Sequence, residues 1–185
     1  MPRNDGVFRW DELNIIREDA QILFSSERKR KPEVLRDFCD YLEFVLCLIY
    51  AYGWQDAEEI VGIVPFEDGL DDKAVDLEID GKTFRDRITE DSTVEEVLRI
   101  IETEAHRDYN TGVYDAADRS GKNVRKRWYT MRDDRVRDTH DYLEGMTVGL
   151  HDRFYTYDGD SALYPGGFST PQNNVNCRCG ISLIA

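Results

Sequence analysis

Leu13, Ile16, Ala20 and Leu23 recur at helical spacing, which predicts an amphipathic helix over residues 10–27 running into the charged stretch 28–31. Pro32 opens a second predicted helix, with Val34, Leu35, Phe38 and Leu42 on one stripe. Residues 44–52 are then apolar all round, the mark of a segment covered on every side or lying at an interface. Gly53 reads as the end of that helix, followed by a shorter one over 56–64 that Pro65 stops. Glu67, Asp68, Gly69, Asp71 and Asp72 make an acidic loop. Beyond it Val75, Leu77 and Ile79 alternate with Asp76, Glu78 and Asp80. Asp80–Gly81 supplies residues that tolerate positive φ in a tight turn, so a β-hairpin is predicted over about 74–88. The carboxylates of Asp76, Glu78 and Asp80 line one side of it, as strand alternation alone produces on a solvated face.

The clearest helix start follows at 91–93, where Ser92 with Glu95, or Thr93 with Glu96, forms a capping box. Val94, Val97, Leu98, Ile101 and Ala105 make its apolar stripe. Thr103, Glu104, Arg107 and Asn110 form a polar cluster elsewhere on the helix, with Glu104 and Arg107 at ion-pair spacing, ordinarily a surface pair of small worth. Residues 124–130, containing Trp128 and Tyr129, read as a strand. A short helix follows over about 137–144, closed by Gly145, and two further strands are predicted near 146–150 and 179–184. The stretch 155–176 is rich in turn residues. Its aromatics Tyr155, Tyr157, Tyr164 and Phe168 suit a packed loop.

Charge divides the chain. Residues 1–94 carry 12 basic and 23 acidic side chains, whereas 95–185 carry 12 and 15, so most of the net charge of −14 belongs to the first half. That balance argues against a surface that grips nucleic acid or an anionic membrane throughout. A local exception is Arg119, Lys122, Arg125, Lys126, Arg127, Arg132, Arg135 and Arg137, which face only Asp133 and Asp134 in sequence. Within it Arg125, Lys126 and Arg127 are the candidate DNA contacts, for weak, salt-sensitive and sequence-independent binding at most. No apolar run approaches the roughly 20 residues of a membrane-spanning helix. The first residues lack the apolar core of a signal peptide, so a cytosolic site of synthesis and four reduced cysteines are expected.

The series TEAHRDYNTG at 103–112, the tryptophan strand KRWYT at 126–130, DDRVRDTHDYLEG at 133–145, then Phe154, Pro165 and the terminal NCRC at 176–179 resembles the phage head-morphogenesis family typified by the Mu F-like minor head proteins. The resemblance covers about residues 95–185, and its most specific element is D-x-R-x-R-x-x-H followed by N-C-R-C. It maps the family motif onto Thr103, Glu104, Arg107, Trp128, Asp133, Arg135, Arg137, His140, Gly145, Asn176, Cys177, Arg178 and Cys179. It implies a minor capsid component of a tailed phage or prophage, inside the virion and in the host cytoplasm during assembly. Its implied contacts are the portal protein, the major capsid protein or the inner shell, and packaged DNA. Members of the family are also joined to toxin or nucleotide-modifying domains. Against an effector enzyme here, residues 1–94 show no glycine-rich phosphate loop, no H-E-x-x-H pair and no histidine.

Three chemistries fit His140 with the Cys-x-Cys pair. Cys177, Cys179 and His140 are soft and borderline donors that suit zinc, although a single intervening residue is tighter than the usual spacing of zinc cysteines. A cysteine nucleophile with His140 as base, oriented by Asp133 or Asn176, is the second. The third, preferred on the residues alone, is a structural network. In it Arg135, Arg137 and Arg178 pair with Glu104, Asp133 and Asp134 to tie the long helix, the short helix and the last strand together, with the two cysteines as small apolar fillers.

These readings give an α+β protein in two parts. Residues 1–90 are an acidic helical region with a β-hairpin, and 91–185 are a module in which a long helix packs with a small antiparallel sheet. The expected role is capsid assembly through protein contacts, without catalysis, cofactor or membrane. Part of 44–52, with nearby Trp54, is expected at a homo-oligomeric or portal contact. The alternatives are a Mu F-type module carrying an effector or toxin enzyme, or a zinc-stabilised nucleic-acid-associated protein.

Overall fold

The computed structural model describes residues 11–67 and 77–185. Three helices carry the core: α1 (Asp11–Phe24), α2 (Pro32–Val61) and, past the short α3 (Phe84–Arg87), the long α4 (Val94–Arg119). A 3-10 turn over Glu27–Arg30 joins α1 to α2. Thr93 caps α4, its hydroxyl accepting from the Glu96 amide while the Glu96 carboxylate accepts from the Thr93 amide at 2.8 Å, so the Thr93–Glu96 box is the one that forms.

Gly53 does not end a helix; α2 runs through it to Val61. A Cβ on Gly53 would lie 2.1 Å from the Tyr109 carbonyl oxygen, and one on Gly112 would lie 2.1 Å from that of Tyr50. The two glycines are where the backbones of α2 and α4 meet. Tyr50 donates to Asp115 at 2.9 Å on one side of the crossing and Tyr109 donates to Asp56 at 2.5 Å on the other. The pairs advance in opposite chain directions, so the helices run antiparallel. This packing accounts for the all-round apolar run: Val45, Leu46, Ile49 and Tyr50 are fully buried, Trp54 nearly so, and within 44–52 Phe44 alone is exposed.

Among the described residues the predicted hairpin is one bridge. Asp80 and Gly81 take the expected positive φ values of 55° and 70° between Ile79 and Lys82. Thr83 then caps α3 in a box with Asp86, which turns the chain into helix before a second strand can extend. Residues 74–76 of that hairpin, and 68–72 of the acidic loop, lie outside the described residues.

The second half follows its predicted pattern closely. β1 (Arg125–Tyr129) is the centre of an antiparallel sheet ordered β2-β1-β5, with β2 at Thr147–Gly149 and β5 at Gly180–Ile184. Arg127 pairs with Thr147 on one side and Ser182 on the other. The short α5 (Asp138–Asp141) precedes Gly145, whose φ is 75°. The turn-rich stretch is packed: β3 (Phe154–Tyr155) and β4 (Ser161–Ala162) form a two-stranded ribbon, and α6 (Pro171–Asn174) leads into the last strand. Phe168 is buried there and Tyr164 partly so, while Tyr155 and Tyr157 are exposed. The protein is therefore α+β, and one continuous hydrophobic core runs from Leu13 in α1 to Leu183 in β5.

Candidate functional site

Alternation along β1 sends Lys126 and Trp128 inward and Arg125 and Arg127 outward. Trp128 is wholly buried, its ring 5.1 Å from Phe154 and 5.4 Å from the His140 imidazole, which in turn stacks on Phe168 at 5.1 Å. His140 is thus held between aromatic rings by the turn of α5.

The terminal strand brings the cysteines to it. Asn176 takes a left-handed φ of 58°, which asparagine tolerates better than most residues, and its amide donates to Thr103 of α4 at 3.3 Å. Asn110, also on α4, donates to the Cys179 carbonyl at 3.3 Å and accepts from the Ile181 amide at 3.0 Å. The strand start is therefore fixed against α4 by side chains that replace a neighbouring strand. Cys177 Sγ then lies 3.5 Å and Cys179 Sγ 3.6 Å from Nδ1 of His140, with all three residues buried. A hydrogen bond from Cys179 holds the Cys177 thiol well below its ordinary value, with His140 adding to the effect, and the same sharing pushes Cys179 up. The cysteines are thus polar partners of His140 rather than apolar fillers. The cavity beside them, lined by Met131, Val136, Arg137 and Asn176 among others, measures about 10 Å³. That is room for about one water.

Asp133 and Arg178 form a two-pronged ion pair at 2.6 and 2.9 Å on the rim of this cluster, joined by Arg135 at 3.2 Å. The Arg178 guanidinium, through those hydrogen bonds, holds the Asp133 carboxyl down at about 2. Arg137 donates to the carbonyls of Gln172 and Val175, clamping α6 and the residues after it.

Glu104 and Arg107 lie apart from this group, in a second cluster. Glu104 is fully buried and pairs with both Arg107 and Arg87 of α3. Arg107, also buried, donates to the Leu77 carbonyl at 3.0 Å and touches Asp108, whose carboxyl burial pushes up to about 8. The single network of the sequence reading is thus two networks on neighbouring faces of α4, and Glu104–Arg107 is a buried pair rather than a surface one. Lys126, grouped with Arg125 and Arg127 as a DNA contact, is also displaced: it is buried, donates to the Leu150 carbonyl and lies over the rings of Tyr114 and Phe154. Burial pulls its amine down to about 8. Arg125 and Arg127 remain exposed.

Two organising residues lacked a sequence signal. Asp160 accepts from the amides and hydroxyls of Ser169 and Thr170 and from the Asn173 side chain, and so holds the turn-rich stretch together. Arg87, the second partner of Glu104, stands before the segment that carries the family resemblance.

No helix among the described residues is long and apolar enough to cross a membrane. No solved structure matches the chain. The chain is 35% identical over 92 residues to the NAD(+)--arginine ADP-ribosyltransferase EFV of Enterococcus faecalis, a stretch that covers 48% of this chain and 19% of that protein. The chain thus spans about a fifth of that relative's length. The family model described as phage Mu protein F like protein matches residues 75–182, more than half of the chain. Its match takes in the Asp80–Gly81 turn, α3, both polar clusters and the sheet as far as β5. The chain belongs to the phage Mu protein F-like family, a family of phage head-morphogenesis proteins.

Proposed function

We propose that this chain is a minor head protein of a tailed phage or prophage, which works in capsid assembly through contacts with the portal or the inner capsid and catalyses no reaction. The observation that carries the reading is the family match over 75–182. The site geometry is in keeping with it: the motif residues are spent on tying strands and helices together. The chain is proposed to sit inside the virion, with weak DNA contact through Arg125 and Arg127.

The test is co-purification of the full chain with the portal protein encoded in the same genome, together with mass spectrometry of purified virions. A complex of fixed stoichiometry and presence in virions support the reading. Absence from virions, with no binding to portal or capsid protein, overturns it.

A second reading comes from the relative named as an arginine ADP-ribosyltransferase. The shared 92 residues leave four fifths of that protein outside the match, so the transferase activity need not reside in the shared part. Incubating the chain with labelled NAD+ and an arginine acceptor decides between them: no transfer is expected, and transfer would establish the enzyme reading.

A further inference from the structure

We propose that His140, Cys177 and Cys179 form a binding site for one soft divalent ion of the zinc class, which pins the terminal strand to the α5 segment. This goes beyond the assembly role and does not depend on it. The donor set is one imidazole nitrogen and two thiols, the combination that zinc prefers over hard cations. The donor atoms all lie within 4.8 Å of one another, and all three residues are buried.

The distances match what the ion requires. In a tetrahedral centre with Zn–S near 2.3 Å and Zn–N near 2.0–2.1 Å, each sulfur-to-nitrogen edge is about 3.6 Å. The two edges here are 3.5 and 3.6 Å, both to Nδ1 of His140. Two edges of such a tetrahedron are thus in place, and the two sulfurs lie within 4.8 Å of each other. The ring is held in that orientation by Trp128 and Phe168, and the sulfurs by the left-handed turn at Asn176 and the Asn110 hydrogen bonds to the strand. Such an arrangement binds an ion without first paying to order its ligands.

Charge is consistent with burial. Two thiolates and a neutral imidazole bring a divalent ion to zero net charge, which a buried site beside Arg137 and Arg178 tolerates. Both guanidiniums already have partners, in the carbonyls of Gln172 and Val175 and in Asp133. The adjoining cavity of about 10 Å³ leaves the fourth position to one water-sized ligand. The tight Cys-x-Cys spacing is accommodated because both sulfurs reach the same nitrogen from the segment that leads into β5. The consequence is a clamp between residues 37 and 39 positions apart, across the turn-rich stretch.

The test uses cobalt(II) added alone to the reduced, metal-stripped full chain. Expected are one cobalt per chain, a sulfur-to-cobalt charge-transfer band with tetrahedral visible bands, and loss of both when zinc is added. Cys39→Ser/Cys47→Ser should keep the band and Cys177→Ser/Cys179→Ser should lose it. Because the second variant can fail to fold, wild-type protein carries an independent readout: zinc should raise its melting temperature and a chelator should return it to the metal-free value. A folded wild-type chain that shows no thiolate band with excess cobalt and no melting shift with zinc overturns the proposal, as does a band that survives in a folded Cys177→Ser/Cys179→Ser chain.

Discussion

The crossing of α2 and α4 makes a sharp prediction at Gly112. By intrinsic propensity, Gly→Ala in the middle of a helix should stabilise by about 1 kcal/mol. Here the new Cβ would sit 2.1 Å from the Tyr50 carbonyl oxygen and 3.0 Å from the Trp54 nitrogen, both backbone atoms of a helix interior that cannot rotate away. To reach ordinary contact the helices must part by about 1 Å, which loosens the packing around Ile49, Trp54 and Val113 and stretches the Tyr50–Asp115 and Tyr109–Asp56 hydrogen bonds that flank the crossing. Overpacking of this sort costs about 1–3 kcal/mol and sometimes more, and one weakened, partly buried hydrogen bond adds about 1 kcal/mol. Gly112→Ala is therefore expected to be destabilising by about 2 kcal/mol net of the propensity gain, a fall of about 4–8 °C in melting temperature for a chain of this size. Gly53→Ala should behave alike. The double variant should cost clearly less than the two single costs together, because helices already parted by one methyl receive the other more easily. Chemical denaturation of the four proteins measures the cycle. A neutral or stabilised Gly112→Ala chain, or strict additivity with Gly53→Ala, would refute the close approach.

Arg107→Ala is expected to lower stability by about 3–5 kcal/mol, since it leaves the buried Glu104 carboxylate with Arg87 as its arginine partner and takes from Asp108 its neighbouring guanidinium; equilibrium denaturation checks it. Because Asp133 is held down at about 2, its ion pair with Arg178 contributes stability above the ordinary carboxylate range, near 4, that is lost as pH falls through 2. Arg178→Ala should flatten that acid limb in melts taken between pH 2 and 5. Asp108 has the opposite sign: raised to about 8, it contributes stability that is fully present below pH 4 and lost as pH rises through 8. Asp108→Asn should remove that decline. Replacing Arg125 and Arg127 with Gln should abolish whatever DNA retention the chain shows at low salt while leaving its melting temperature unchanged. Lys126→Ala should instead lower the melting temperature, as its buried amine predicts.

What the sequence revealed, and what it hid, follows from the range of each interaction. Capping at Thr93, the strand around Trp128 and the positive-φ turn at Asp80–Gly81 depend on neighbours within a few positions, and they were legible. Gly53 was misread because a glycine carries the same letter whether it ends a helix or admits another backbone, and only its opposite number, Gly112, distinguishes the two. Lys126 is grouped by its charge with Arg125 and Arg127, whereas alternation along β1 puts it on the inward face with Trp128; the aliphatic stem and the Leu150 carbonyl make that position tolerable. The meeting of His140 with Cys177 and Cys179 was legible from the motif. Asp160 and Arg87 were not, because their partners lie 9 to 17 positions away with no periodic relation.

The adjacent motif residues Thr103 and Glu104 explain why the single expected network became two. Successive residues on a helix point about 100° apart. Thr103 and Asn110, two turns apart, face the terminal strand, where they receive the Asn176 amide and hold the backbone of Cys179 and Ile181. Glu104 and Asp108, one turn apart, occupy the neighbouring face, with Arg87 and Arg107 as their partners, and Arg107 reaches the Leu77 carbonyl. Gly166, at φ 91°, completes this second contact: a Cβ there would lie 2.8 Å from that of Arg107. One helix thus joins the 77–87 segment on one face to the C-terminal strand on the next. Arg87, which balances part of the buried charge of Glu104, lies upstream of the motif itself and within the family match over 75–182.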